Sequence, residues 1–161
     1  MAHVKILILL SIIFILCLSS TAYAKEETNN FKCLVEAIYH EARSEPFIGQ
    51  LAVANVILER VALPNFPNTI CGVVHAGKRW KDNIIKNQCA FSYFCDGKRE
   101  WYDVDKKSVS VAYDVASLAV RGVMVYSTLG ATHYHASYVV PFWSNHLERL
   151  EQIGTHIFYI D

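Results

Sequence analysis

From Phe31 onward, apolar side chains return every three or four residues: Phe31, Leu34, Val35, Ile38, Tyr39 and Ala42. That period is helical, and Asn29 or Asn30 just ahead is a good N-cap. Pro46 ends this helix or opens the next. Ile48–Ala62 is apolar almost all round, the pattern of a buried central helix. Pro64–Asn68 reads as a loop. Thr69 is placed to cap a short helix that reaches His75 and closes at Gly77. Lys78–Asn87 is polar and expected to be exposed. Cys89–Cys95 reads as a short strand, followed by the tight-turn signal Asp96-Gly97. Helical spacing returns over Ser108–Arg121 through Val111, Val115 and Leu118, with Gly122 as the C-cap. Val123–Tyr126, Thr132–Val140 and His156–Ile160 are strand-like. Helices come first and strands are mixed in later, without internal repeats or linkers, so the expected class is α+β.

The start of the chain follows a different pattern. Lys5 precedes an apolar run, Ile6–Leu18, broken only by Ser11, and the small-residue exit Ala22-Tyr23-Ala24 follows. This is the layout of a secretory signal, and the run is short for a membrane span. The expectation is a signal peptide over 1–24 and an exported mature chain over 25–161. That chain would be periplasmic or extracellular at the cell wall, with no stable membrane insertion after cleavage. Leu16 is bulky where lipid attachment at Cys17 would want a small residue.

Export changes the meaning of the remaining cysteines, Cys33, Cys71, Cys89 and Cys95. An even number in an oxidising compartment suggests two disulfides. Three pairings are possible. Cys89 and Cys95 flank a short apolar segment, which favours joining them and leaves Cys33 with Cys71. The C-x-x-C spacing of a cysteine zinc site does not occur. The length, 161 residues, suits one compact domain. A hydrophobic share of 53% excludes a disordered chain. Fifteen Lys+Arg against fifteen Asp+Glu argues against a nucleic-acid binder.

Among residues that could carry chemistry, Glu41 is the sharpest. At about 100° per residue, with Leu34 at zero, Ile38 falls near 40° and Glu41 near −20°. Glu41 therefore borders the apolar stripe, whereas Glu36 faces away. Semi-apolar surroundings raise a carboxyl pKa, and an acid still protonated near neutrality can protonate a leaving oxygen. Equally open is a buried Glu paired with Arg43 or a His. Glu45 is a possible second carboxylate, although its place favours a cap for the helix opening at Pro46. His133, His135, His146 and His156 form a second group. The H-x-H spacing puts His133 and His135 on one face of a strand, where a third ligand would make a zinc site. The interleaved Tyr134, Tyr138, Phe142 and Trp143 argue instead for an aromatic, sugar-stacking surface. A Cys nucleophile would need a free thiol, and pairing leaves none.

Six blocks then occur in order. They are Glu41-Ala-Arg-Ser-Glu-Pro46, Gly49-Gln-Leu-Ala-Val-Ala54, Pro67-Asn-Thr-Ile-Cys-Gly-Val-Val74, Cys89-Ala-Phe-Ser-Tyr-Phe-Cys-Asp-Gly97, Ala131-Thr-His-Tyr-His-Ala136 with Pro141-Phe-Trp143, and Ile153-Gly-Thr-His-Ile-Phe-Tyr159. Together they resemble the cell wall hydrolase family of the spore cortex-lytic enzyme, relatives of the lysozyme-like lytic transglycosylases. The resemblance spans about Cys33–Tyr159. It implies a lysozyme-like α+β catalytic domain, mainly helical with a small antiparallel sheet, that cleaves the glycan strands of peptidoglycan. It matches Glu41 to the family's catalytic acid, with no cofactor. Glu45, Ser92, Tyr93, Thr132, His133, Tyr134 and Trp143 are the candidate substrate-binding residues. Two positions depart from the family pattern: Ser44 stands for a Gly, and Glu59 for an Asn in Leu58-Glu-Arg-Val61. If that Gly has positive φ, Ser44 would be strained. Two other classes stay open. One is a zinc-dependent amidase or peptidase using His133 and His135, and the other a non-catalytic peptidoglycan-binding protein.

Overall fold

The computed structural model describes residues 23–98 and 105–161. The expected signal segment, up to residue 22, lies outside the described residues.

Helix α1 runs over 23–42 and α2 over Phe47–Ala62. The short α3 is Ile70–Val74, and α4 is Lys106–Val120. The stripe read from the sequence is the core face of α1, where Leu34, Ile38 and Ala42 are fully buried. Every residue of α2 from Gly49 to Ile57 is buried. The face that α4 turns to the core is made of Ala112, Val115, Ala116 and Ala119, small enough to let the helices approach closely.

Several expectations need correction. Helix α1 begins before Asn29 and Asn30, so neither caps it. The Asn30 side chain is engaged elsewhere: its Oδ1 accepts the Cys71 N–H at 3.1 Å. Beside that bond, the Cys33–Cys71 disulfide ties α1 to α3. Glu36 is half-buried rather than turned fully to solvent. Thr69 does cap α3, accepting the Gly72 N–H at 3.0 Å, but the helix closes at His75. Gly77 instead opens a hairpin of β1 (Gly77–Trp80) and β2 (Asn83–Cys89). A Cβ on Gly77 would sit 2.8 Å from Cys89 Sγ, so the strands meet there only over glycine. The hairpin left no mark in the pattern because β1 is exposed on both faces. Its turn residues, Lys81 and Asp82, take left-handed φ values of 46° and 64° without the usual Asn-Gly signal.

Cys89–Cys95 is not a strand. Strand β2 ends at Cys89, and Ser92–Cys95 forms a 3₁₀ turn. The reason is geometric. The Cys89–Cys95 disulfide holds the two Cα atoms 6.1 Å apart, whereas six residues of extended chain would separate them by about 20 Å. Both disulfide pairings favoured by the sequence are present.

Val123–Tyr126 is not a strand either. The buried Asn55 of α2 takes its backbone bonds, donating to Val123 O at 3.0 Å and accepting the Val125 N–H at 2.9 Å. Gly122 follows the end of α4 with φ 84°, as expected.

A three-stranded antiparallel sheet completes the fold, formed by β3 (His133–Ala136), β4 (Glu148–Ile153) and β5 (His156–Ile160), with β5 central. Strand β3 is shorter than the expected Thr132–Val140. The chain turns after Ala136, where Val139 N–H bonds back to Ala136 O at 2.9 Å, and Pro141 opens a 3₁₀ turn over Phe142–Asn145. Strand β4 was not foreseen. Its residues are largely exposed, so pairing with β5 rather than an apolar period makes it a strand. The architecture is α+β and mainly helical, with two small antiparallel sheets in place of the expected one.

Candidate active site

Where the end of α1 faces β3, the molecule has a cleft of about 370 Å³. His40 and Glu41 enter it from α1, and Arg60 from the last turn of α2. Ala90, Phe91, Ser92 and Tyr93 form one wall. Tyr134, His135, Tyr138 and Val139 form the opposite wall, with His156 of β5 beside them.

Glu41 is half-buried, and the Tyr134 hydroxyl donates to its Oε2 at 3.3 Å. Burial raises the Glu41 pKa. The Tyr134 bond and the positive charge of Arg60 pull it partly back. Burial also pushes the Tyr134 hydroxyl well above its usual value, so it remains a donor. Arg60 is fixed by three contacts. Its Nε donates to Thr132 O at 2.7 Å, and its guanidinium lies over the rings of Phe66 at 5.3 Å and Phe91 at 5.6 Å. The His40 ring stacks on Tyr93 with centroids 4.6 Å apart. Burial and then Arg43 lower the His40 pKa, which keeps it neutral at pH 7.

Of the residues singled out in the sequence, Ser92, Tyr93 and Tyr134 share the cleft with Glu41. Thr132, His133 and Trp143 are not among the residues that line this cleft. The Thr132 hydroxyl pairs with His133 Nδ1 at 2.9 Å and accepts the Asp161 N–H at 3.2 Å. Trp143 packs on His133, His135 and Tyr159, with centroids 5.2 to 5.5 Å away. His133 and His135 do share a face, and what meets them there is Trp143. The two nitrogens of His135 are committed. Nδ1 lies 3.0 Å from Ala136 O, which only accepts, so Nδ1 carries a hydrogen, and Nε2 pairs with the Tyr159 hydroxyl at 2.9 Å. Among the described residues, no three His, Cys, Asp or Glu converge as a metal-ligand group.

Glu45 does not cap α2, which has no side-chain cap among the described residues. It is buried instead, and its carboxylate accepts the Thr155 N–H at 2.8 Å and the Thr155 hydroxyl. Ser44 is not strained: outside glycine, positive φ occurs among the described residues only at Lys81, Asp82 and Asn87. Glu59 is half-buried and is not part of the cleft lining.

The reading of the sequence did not single out Arg60 or His40. Arg60 did leave a signal, a cation in the last turn of a helix apolar nearly all round. His40 left none beyond adjacency to Glu41.

A family model described as Cell Wall Hydrolase matches residues 44–159. The chain belongs to the cell wall hydrolase family. This cell wall hydrolase is 29% identical over 130 residues to the spore cortex-lytic enzyme of Oceanobacillus iheyensis, covering 81% of the chain and 41% of that relative. The spore cortex-lytic enzyme of Bacillus subtilis is 50% identical over 46 residues, 29% of this chain and 15% of that one. The aligned region thus spans less than half the length of these curated relatives. Two solved structures resemble the cell wall hydrolase in fold. The catalytic domain of the germination-specific lytic transglycosylase SleB from Bacillus anthracis has a TM-score of 0.61 and 30% identity, covering 81% of this chain and 93% of that one. The catalytic domain of the Bacillus cereus SleB protein has a TM-score of 0.61 and 29% identity, with coverages of 82% and 90%. The family match starts after Glu41, so the case for that residue rests on its geometry.

Proposed function

We propose that this cell wall hydrolase cleaves the β-1,4 bond between N-acetylmuramic acid and N-acetylglucosamine in peptidoglycan, with Glu41 as both acid and base. One observation carries the reading: a carboxyl group with its proton affinity raised by burial lies in a polar cleft, hydrogen-bonded to a tyrosine hydroxyl. Such a group transfers its proton to the glycosidic oxygen as the C1–O bond breaks, which contributes about 10²–10⁴-fold. The carboxylate left behind is stabilised by the Tyr134 hydroxyl and the Arg60 charge. Glu41 then takes the proton of the muramoyl 6-hydroxyl as that oxygen bonds to C1. The products are a 1,6-anhydro end and a regenerated acid. Water in place of the 6-hydroxyl gives a reducing end, and the same carboxyl serves both outcomes. The likeness to a structure described as a lytic transglycosylase supports the anhydro route.

Ser92, Tyr93 and Tyr134 contact the sugar, while Thr132 holds Arg60, and His133 and Trp143 pack beside it on β3. Residues 1–24 act as an export signal, and 25–161 is the catalytic domain, delivered to the periplasm or cell wall. The N-terminus of the exported protein, read by mass spectrometry, tests that boundary: Lys25 supports it and Met1 overturns it. Digestion of purified peptidoglycan, with and without chelator, tests the chemistry. Anhydro-muramic ends formed equally in both are the expected result. Reducing ends would make the protein a muramidase. Stem peptides released only without chelator would sink the Glu41 mechanism.

A further inference from the structure

Two sequence blocks that the reaction leaves unexplained, Glu45-Pro46 with Gly49 and Ile153-Gly-Thr-His156, meet at the turn between β4 and β5. The fit is close. A Cβ on Gly154, whose φ is 60°, would lie 2.0 Å from Glu45 Oε2 and 2.8 Å from Pro46 Cδ. A Cβ on Gly49 would touch Glu45 Cβ and Ile153 Cγ2, each at 3.4 Å. Over Gly154, the buried Glu45 carboxylate takes both the N–H and the hydroxyl of Thr155. Thr155 O in turn accepts the Ser137 N–H at 2.7 Å, joining the turn to the exit of β3.

The next residue is His156. It is buried, pairs with Ala136 of β3, and its ring lies 5.0 Å from that of Tyr134. Tyr134 is the residue that bonds Glu41. The end of α1 and the loop after it are therefore fastened to one sheet at two points, by Tyr134 at Glu41 and by Thr155 at Glu45. We propose that Glu45 is a positioning residue that keeps Glu41 and Tyr134 at bonding distance, acting through the β4–β5 turn. The inference rests on Glu41 being the acid of the cleft.

The test is the Glu41 pKa, followed by carboxyl-carbon NMR in the wild type, Glu45→Gln and Thr155→Val, with thermal unfolding recorded alongside. The sign discriminates. The charged and titratable groups acting on Glu41 are Tyr134 and Arg60, and the Tyr134 bond lowers its pKa. Those acting on His156 are Glu45 and His135. Loosening Tyr134 removes the bond that lowers the Glu41 pKa, so while Glu41 stays buried its pKa rises. Merely deleting the negative charge of Glu45 would lower it, since a like charge has been removed. Thr155→Val keeps the Glu45 charge and the backbone bond, so it serves if Glu45→Gln does not fold. We expect a higher Glu41 pKa in both variants. On glycan strands, kcat should fall about 10–100-fold with KM changed less than about twofold. An unchanged or lowered Glu41 pKa overturns the proposal, as does a kcat loss no greater than the unfolded fraction. Because the titration needs no turnover, an inactive wild type would refute the proposed function and leave this test standing.

Discussion

The two disulfides mark two regions built on different principles. Cys33–Cys71 lies beside the helical core, where Leu34, Ile38, Val53, Ile57 and Val115 are almost wholly removed from water. Cys89–Cys95 closes a wall of the cleft, made of short turns, rings and polar side chains. The first region is held by apolar area that any well-packed set of similar volume would supply. The second is held by directed contacts: the Arg60 bond to Thr132, the Tyr134 bond to Glu41, the Glu45 bonds to Thr155. It also contains groups whose charged forms burial disfavours, Glu41 and Arg60 among them. Stability is thus concentrated in the helices, and the cleft draws on it to hold chemistry that is unfavourable by itself.

The largest expected effect separates the two regions completely. Glu41→Gln should lower glycan cleavage by about 10²–10⁴-fold without weakening the core. It should also raise Tm at pH 7. Burial raises the Glu41 pKa above its unfolded value, so its ionisation costs stability above the folded pKa and nothing below the unfolded one, about 4.3. Melting curves of both proteins from pH 7 to pH 4 should show the advantage of the variant shrinking as the pH falls. A variant less stable than wild type at pH 7 would break the comparison.

Removing the bridges comes next. Cys33–Cys71 encloses a sequence separation of 38 and Cys89–Cys95 one of 6. On chain entropy alone, losing them costs about 4 and about 2 kcal/mol respectively. Denaturant midpoints of Cys33→Ala/Cys71→Ala and Cys89→Ala/Cys95→Ala measure this. We expect the first pair to lose more stability and the second, which holds Ser92 and Tyr93 in the cleft wall, to lose more activity per kcal/mol. The reverse order would mean that the cleft wall, not the helices, carries the fold.

A smaller change sharpens the picture of the site. Tyr134→Phe removes the hydroxyl that lowers the Glu41 pKa. The alkaline limb of the activity profile, where the acid loses its proton, should move to higher pH. The maximum rate should fall by about 10-fold, the worth of one hydrogen bond to a charged group. A profile that stays in place would remove Tyr134 from the mechanism. Smallest is Ser44→Gly. Ser44 has no positive φ, so a glycine there relieves nothing and loosens the unfolded chain. A loss of about 0.5–1 kcal/mol is expected by denaturant titration, and a gain would show strain after all.

The helical core was legible in the sequence because its physics is periodic. A helix that buries one face must repeat its apolar residues at three and four; α2 and α4 do so within two residues of their observed limits, and α1 keeps its expected end but starts at residue 23, ahead of the periodic stretch. Glu41 was legible for the same reason, as a carboxylate on the edge of the stripe. The cysteine pairing was legible from the spacing of Cys89 and Cys95 and the even number of the four. The cleft was less so. Asn55 replaces a strand with its own amide, and the bridge of six residues contradicts the strand that the apolar run suggested. Strand β4 exists only because β5 is beside it.

What the sequence determined by itself was the helical frame, the class and the position of one acid, since each follows from local periodicity. Only the tertiary structure decided that Arg60 and Tyr134 meet Glu41. It alone also decided that Ser92 and Tyr93 line the cleft beside Glu41, and that Glu45 closes on Thr155. These pairings join residues separated by up to 110 positions, and no local pattern encodes a contact whose partner is set by how the whole chain packs.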